Sequence, residues 1–341
     1  MKPFLALLVL GGLVRAATGP EELSDAAQKL AIEKRYPEAE KLWLEALQLS
    51  PKFFPALFNL GYMYFSTSQP ELAEPVLRRA VDISPQDYGA RYVLGAALAR
   101  MGKTEAALLQ WRAALAIQPE NVRLMQVMAV EYSKGRYFQE AAAIARRALT
   151  RKDDDLNLYL IGIKACQDAG ENEEAFDLAG RAMKRFPDSA RVNFEYAFGL
   201  QKLGRVSEAM RLLEKAMAAD TSYEEPFFFY GNLLVDDGRY ADAIPYLRKA
   251  IKIRSDYMTA RVLLARALMQ LRQFPAAIAE LDLAVKVDPR HPQPHLLLSQ
   301  IYFRMGQEER AAQEKELSLR LRRENPRALE AEQGRSFLAK P

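Results

Sequence analysis

The sequence predicts an all-α chain, a solenoid of nine tandem 34-residue helix-turn-helix units over residues 20–325, and three observations predict it. Alanine returns every 34 residues, at Ala39, Ala73, Ala107, Ala141, Ala175, Ala209, Ala243, Ala277 and Ala311, with no net insertion or deletion. A second small residue follows seven places behind each of these, from Ala46, Ala80 and Ala114 through to Ala284 and finally Ser318. Glycine and proline punctuate the same register, Gly102, Gly170, Gly204, Gly238 and Gly306 in mid-unit and Pro51, Pro85, Pro119, Pro187 and Pro289 near the end. Self-similarity at this period marks stacked helical pairs.

The units run 20–53, 54–87, 88–121, 122–155, 156–189, 190–223, 224–257, 258–291 and 292–325. Within a unit, positions 4, 7, 8 and 11 recur at helical spacing and form the inner face of a first helix. Position 7 is mostly apolar (Leu60, Leu94, Met128, Leu264) and position 8 mostly small (Ala27, Gly61, Gly95, Ala129, Gly231). Position 15 carries the turn glycine, suited to the left-handed backbone that ends a helix. Positions 20, 24 and 27 give the inner face of a second helix. Proline at position 32 stops it. The small residues let helices cross closely, with position 8 expected against the alanine at position 20. Unit four departs from the pattern, with its glycine one place early at Gly135 and Asp153 in place of proline. Unit five has Ile163 at the small position. Local distortion is expected over residues 135–165.

The ends read differently. Residues 3–14 are an apolar run after Lys2, and Val14 and Ala16 stand three and one places before a cut. This is the pattern of a secretory signal peptide, residues 1–16, cleaved near Ala16. It predicts an exported, periplasmic or secreted chain, with membrane contact only through an uncleaved leader. Cys166 has no partner for an internal disulfide and occupies a core position, so it reads as an inert thiol. The formal charge of +4 loses Lys2 and Arg15 with the leader, which argues against nucleic acid as partner. In unit nine Lys315 and Ser318 stand where other units bury apolar groups. Its second helix therefore reads as capping the array, and residues 326–341 as a C-terminal cap and tail.

The pattern Leu57, Leu60, Gly61, Tyr64, Ala73, Leu77, Ala80, Pro85, repeated as Arg91, Leu94, Gly95, Leu98, Ala107, Trp111, Ala114, Pro119, resembles the tetratricopeptide repeat. The resemblance implies antiparallel helix pairs wound into a right-handed α-solenoid, first helices lining the concave side. Nine copies over residues 20–325 leave no room for a separate catalytic domain, so a non-enzymatic chain without a cofactor is expected.

Catalytic patterns are weak. His291 and His295 are four apart, but His291 precedes the helix and prolines surround both; packing or exposure accounts for them better than a metal. Asp153, Asp154 and Asp155 lack the alternation of a calcium loop and read as a helix cap. No serine has a convincing histidine partner.

Positions 2, 5, 9 and 12 of the first helices should face the groove. Phe58, Tyr62, Phe65 and Tyr92 fall on this stripe, as do Phe194, Phe198 and Phe228 beside Asn232. Lys164, Arg191 and Arg266 share it. Such rings either pack on one another between units or hold a partner. Flanked by cations, they suit an extended peptide or an amphipathic helix bearing acidic residues. No three consecutive units carry the lysine and asparagine set with which chaperone-docking members of the family clamp a C-terminal carboxylate. The expected function is a protein-protein interaction scaffold, binding a peptide or helix of a partner in the groove, in assembly of a cell-envelope complex. The alternative is a regulatory or recruiting subunit of an envelope enzyme such as a glycosyltransferase or peptidase.

Overall fold

Small residues at fixed intervals set how closely successive helices approach, and the computed structural model shows what occupies each gap. It describes residues 19–324. These are helical almost throughout, with no strand among them. The leader 1–16 and the tail 326–341 lie outside the described residues.

The chain divides into two compact units, one up to Ala175 and one from Phe176. In the first unit the helices are α1 (Pro20–Ile32), α2 (Tyr36–Leu49), α3 (Phe54–Ser66), α4 (Pro70–Ile83), α5 (Tyr88–Arg100), α6 (Thr104–Ile117), α7 (Val122–Lys134), α8 (Phe138–Leu149) and α9 (Leu156–Ala169). The boundary falls inside α10 (Asn172–Arg185). The second unit continues with α11 (Ala190–Lys202), α12 (Val206–Ala219), α13 (Glu224–Asp236), α14 (Tyr240–Ile253), α15 (Met258–Gln270), α16 (Phe274–Val287), α17 (Pro292–Arg304) and α18 (Glu308–Glu324). Odd-numbered helices are the first helices of the pairs.

The turn between paired helices has one conformation throughout. Position 15 takes positive φ in all nine pairs, at the five glycines and also at Lys34, Ser68, Arg136 and Arg272. The sequence marks this requirement only where glycine meets it. In unit four Gly135 is not the turn residue: its φ is −74° and Arg136 beside it has φ 63°. Gly135 is needed for space, since a Cβ there would lie 2.7 Å from the Tyr137 ring and 2.9 Å from Thr104 Cγ2. The departure of this region is modest. Helix α8 has 12 residues where α6 has 14, and a longer connection follows to Asp155, whose carboxylate accepts from the Leu158 N–H at 3.1 Å.

Position 8 meets position 24, not chiefly the alanine at position 20. A Cβ on Gly61 would come 2.6 Å from Leu77 Cγ, and one on Gly95 2.4 Å from Trp111 Nε1. A large side chain at 24 thus lies over the bare backbone at 8, and the alanines at 20 and 27 sit fully buried on either side of it. The buried stripe is also wider than expected, because positions 3 and 10 join it (Ala56, Met63, Ala90, Ala97, Leu124, Ala267). Conversely, position 4 is Arg or His in three pairs. Arg91 donates to Gln110 at 3.1 Å, Arg261 pairs with Glu280 at 2.7 Å, and His295 meets Glu314 at 2.7 Å. Each partner is the residue at position 23 of the same pair, so a buried polar group is matched within its own hairpin.

Candidate functional site: the outer face of the first helices

Helix α3 is apolar on nearly every side because it combines the buried stripe with three rings on its outer face. Phe58 stacks between Phe54 and Tyr62, with centroids at 6.0 and 6.3 Å. Its ring also rests on the start of α5, where a Cβ on Gly89 would come within 3.4 Å. Tyr62 is 52% exposed. Phe65 is covered, since the Arg100 guanidinium lies 3.9 Å from its centroid and Arg100 Nη1 donates to the Phe65 carbonyl at 2.7 Å. Tyr92 stacks on Tyr88 at 5.8 Å, and its carbonyl accepts from Trp111 Nε1 at 3.0 Å. Between α1, the start of α2 and α3 there is a cleft of 520 Å³, with Phe58 and Tyr62 on its wall. Lys164, on α9, is exposed and paired with Asp168 at 2.8 Å.

In the second unit the predicted rings come together differently. Phe194 meets Tyr223 and Phe229 edge-on at 5.7 and 5.8 Å. Phe198 lies 5.9 Å from the same Phe229, and Lys202 Nζ is 4.8 Å from the Phe198 centroid. Burial of that ammonium lowers its pKa. Phe228 packs on Tyr257 at 4.9 Å. All three phenylalanines join the main hydrophobic core of this unit as half-buried members. Asn232 is 5% exposed and donates to Asp236 at 3.3 Å. Arg191 is exposed and Arg266 half-buried. At α17, in the same unit, Leu296 and Phe303 are exposed.

The remaining polar candidates are structural. His291 caps α17 through Nδ1, and His295 is held by Glu314. Among the described residues no group of three or more His, Cys, Asp or Glu could hold a metal ion. Burial pushes the Cys166 thiol up to about 11, so it is almost wholly protonated at neutral pH.

Sequence reasoning did not find the cleft. Its signal was small residues rather than rings, Ala31 at position 12 of α1 and Ser66 at position 13 of α3. The same two places carry Phe65 and Arg100 one pair later.

In each unit, tandem helical hairpins pack on their neighbours in sequence, which is the architecture of a repeat protein. Two family profiles described as tetratricopeptide repeat match residues 167–225 and 234–301, and residues 27–88, 69–122 and 199–258. The chain belongs to the tetratricopeptide repeat family, whose members serve as protein-interaction scaffolds. Among curated proteins none matches it.

Solved structures resemble it in fold. The Pseudomonas aeruginosa protein pilF is 20% identical, with TM-score 0.52 over 63% of this chain and 96% of that one. A tetratricopeptide repeat protein from Parabacteroides merdae is 16% identical, with TM-score 0.47 over 73% of this chain and 98% of that one. YrrB, described as a TPR protein with an unusual peptide-binding site, is 19% identical, with TM-score 0.44 over 55% of this chain and 97% of that one.

Proposed function

We propose that this is an exported scaffold that holds a peptide or helix of a partner protein on the outer face of its first helices, in assembly of a cell-envelope complex. The observation that carries the binding reading is the open apolar surface of α3. Tyr62 stands half in water beside Phe58, on the wall of a cleft, in a helix whose other faces are already buried. A helix apolar on nearly all sides is covered on each of them or has a side waiting for a partner. Export rests on the apolar run 3–14 and the small residues Val14 and Ala16.

A photo-crosslinking residue in place of Tyr62, expressed in the native envelope, is expected to capture one partner protein. The same residue in place of Leu109, which is 62% exposed on second helix α6, should capture none. Equal capture from both places, or none from either, rejects the first-helix face. N-terminal sequencing of the envelope protein is expected to begin at Ala17; an intact Met1 in a soluble cell fraction rejects export.

A further inference from the structure

We propose that the cleft between α1 and α3 is an anchor pocket for one large, uncharged aliphatic or aromatic side chain of an extended partner peptide. This rests on the first-helix face being the binding face, and narrows it to one place and one ligand chemistry.

The cleft exists because two side chains are small. Between α3 and α5 the equivalent space is closed by Phe65 and by Arg100 lying flat on its ring at 3.9 Å. Between α1 and α3 those two places hold Ala31 and Ser66, and 520 Å³ is left open. That volume lies within the usual range of ligand pockets, roughly 300–1,000 Å³. Opposed walls of Ile32, Tyr36, Phe58, Tyr62 and Met63 bound it. Ile32 is 77% exposed, so its apolar area is open to a ligand that would gain free energy by covering it.

Among the described residues no charged one lines the cleft. A charged side chain entering it would lose water without gaining a counter-ion, whereas a neutral apolar one gains on entry. Two side-chain amides, Gln28 and Asn59, also line the cleft, and no hydrogen bond is made by either within the described residues. Each amide offers a donor and an acceptor, the pair that one unpaired main-chain peptide group requires. An extended segment presents such groups; a helix has already used them. The complementary ligand is therefore an extended strand with a neutral, bulky side chain. Trp43 also borders the cleft and reports on its occupancy.

The test uses the full chain with fluorotryptophan at Trp43 and Trp111, and a positional-scanning library of capped nonapeptides. The expected result is selection of Leu, Ile, Phe or Trp over Asp or Lys at one peptide position by roughly tenfold, about 1.4 kcal/mol. The selected peptides should shift the Trp43 fluorine signal saturably and leave that of Trp111 in place. Two variants that fill the cleft, Ala31→Phe with Ser66→Arg and the milder Ala31→Leu, should lose both effects while melting cooperatively.

Selection that persists in both filled variants overturns the pocket, as does no selection at all. Saturation of the Trp43 signal by laurate, with no peptide selected, assigns the cleft to an acyl chain and overturns the peptide. If the partner crosslinked through Tyr62 is still captured by both filled variants, the pocket fails and the scaffold reading stands.

Discussion

The rings of α3 and those of α11 occupy the same positions, 5 and 9 of a first helix, yet meet opposite fates. Phe58 and Tyr62 border an open cleft, while Phe194 and Phe198 are pinned against a single ring, Phe229, from the following first helix. The difference lies in the helix that flanks each pair of rings. At position 6 α13 offers Phe229, which is buried and fills the space between both rings of α11. On the cleft side of Phe58 and Tyr62, α1 offers only Ala31 and leaves the space open. An aromatic stripe therefore says little about binding until the neighbour that could cover it is known.

The most severe way to break this comparison is to remove the covering ring. Phe229→Ala is expected to destabilise the chain by about 3–5 kcal/mol, the usual range for emptying a buried phenylalanine site. Urea denaturation measures it. A loss below about 1 kcal/mol would mean that Phe194 and Phe198 are not held by Phe229, and the contrast between the two regions would disappear.

The openness at α3 could also be mere looseness of the first unit. Gly95→Leu tests that, because a Cβ at Gly95 already falls 2.4 Å from Trp111 Nε1 and the larger side chain must displace the indole from the Tyr92 carbonyl. A cost of about 1–3 kcal/mol in a thermal melt is expected for such overpacking. An unchanged melt would show that the hairpins beside the cleft are soft and that the cleft is not a fixed shape.

The helical pairing was legible because it follows from a period, and nine copies average out local exceptions. Alanine at positions 20 and 27 and the left-handed turn at position 15 carry it. The exceptions escaped for physical reasons. Arg136 and Lys34 adopt the turn conformation without being glycine, because the packed hairpin imposes it. Arg91, Arg261 and His295 lie at a core position because their partners are 19 residues away, on the opposite helix of the same pair. The site was half legible. A sequence shows which rings lie on a face, but coverage depends on a residue 31 or 35 places on, as with Phe198 or Phe194 and Phe229. The cleft was the least legible part, since it is made by what Ala31 and Ser66 leave empty.

A smaller effect should follow from uncapping Phe65. Arg100→Ala removes the guanidinium stacked at 3.9 Å and its hydrogen bond to the Phe65 carbonyl. The expected cost is about 0.5–1 kcal/mol, as for an exposed cation–π pair. The variant should also open a second cleft beside the first, visible as increased binding of an environment-sensitive apolar dye. No increase in dye binding would mean that Phe65 closes that space by itself.

The smallest expected change in stability separates folding from binding. Tyr62→Ala removes a ring that is half in water and touches Phe58 at 6.3 Å between centroids. Surface substitutions of this kind usually fall within about 0.5 kcal/mol. The folded chain should therefore melt almost as before while a partner that covers Tyr62 dissociates faster. Aromatic residues at the centre of an interface commonly contribute about 2 kcal/mol or more to binding, roughly thirtyfold in Kd. The same substitution at Phe194 should show the reverse ratio, a clear loss of stability with binding at the cleft retained. If Tyr62→Ala and Phe194→Ala lower stability equally, the rings of α3 are as structural as those of α11, and the binding face must be sought at α17, where Phe303 is 68% exposed.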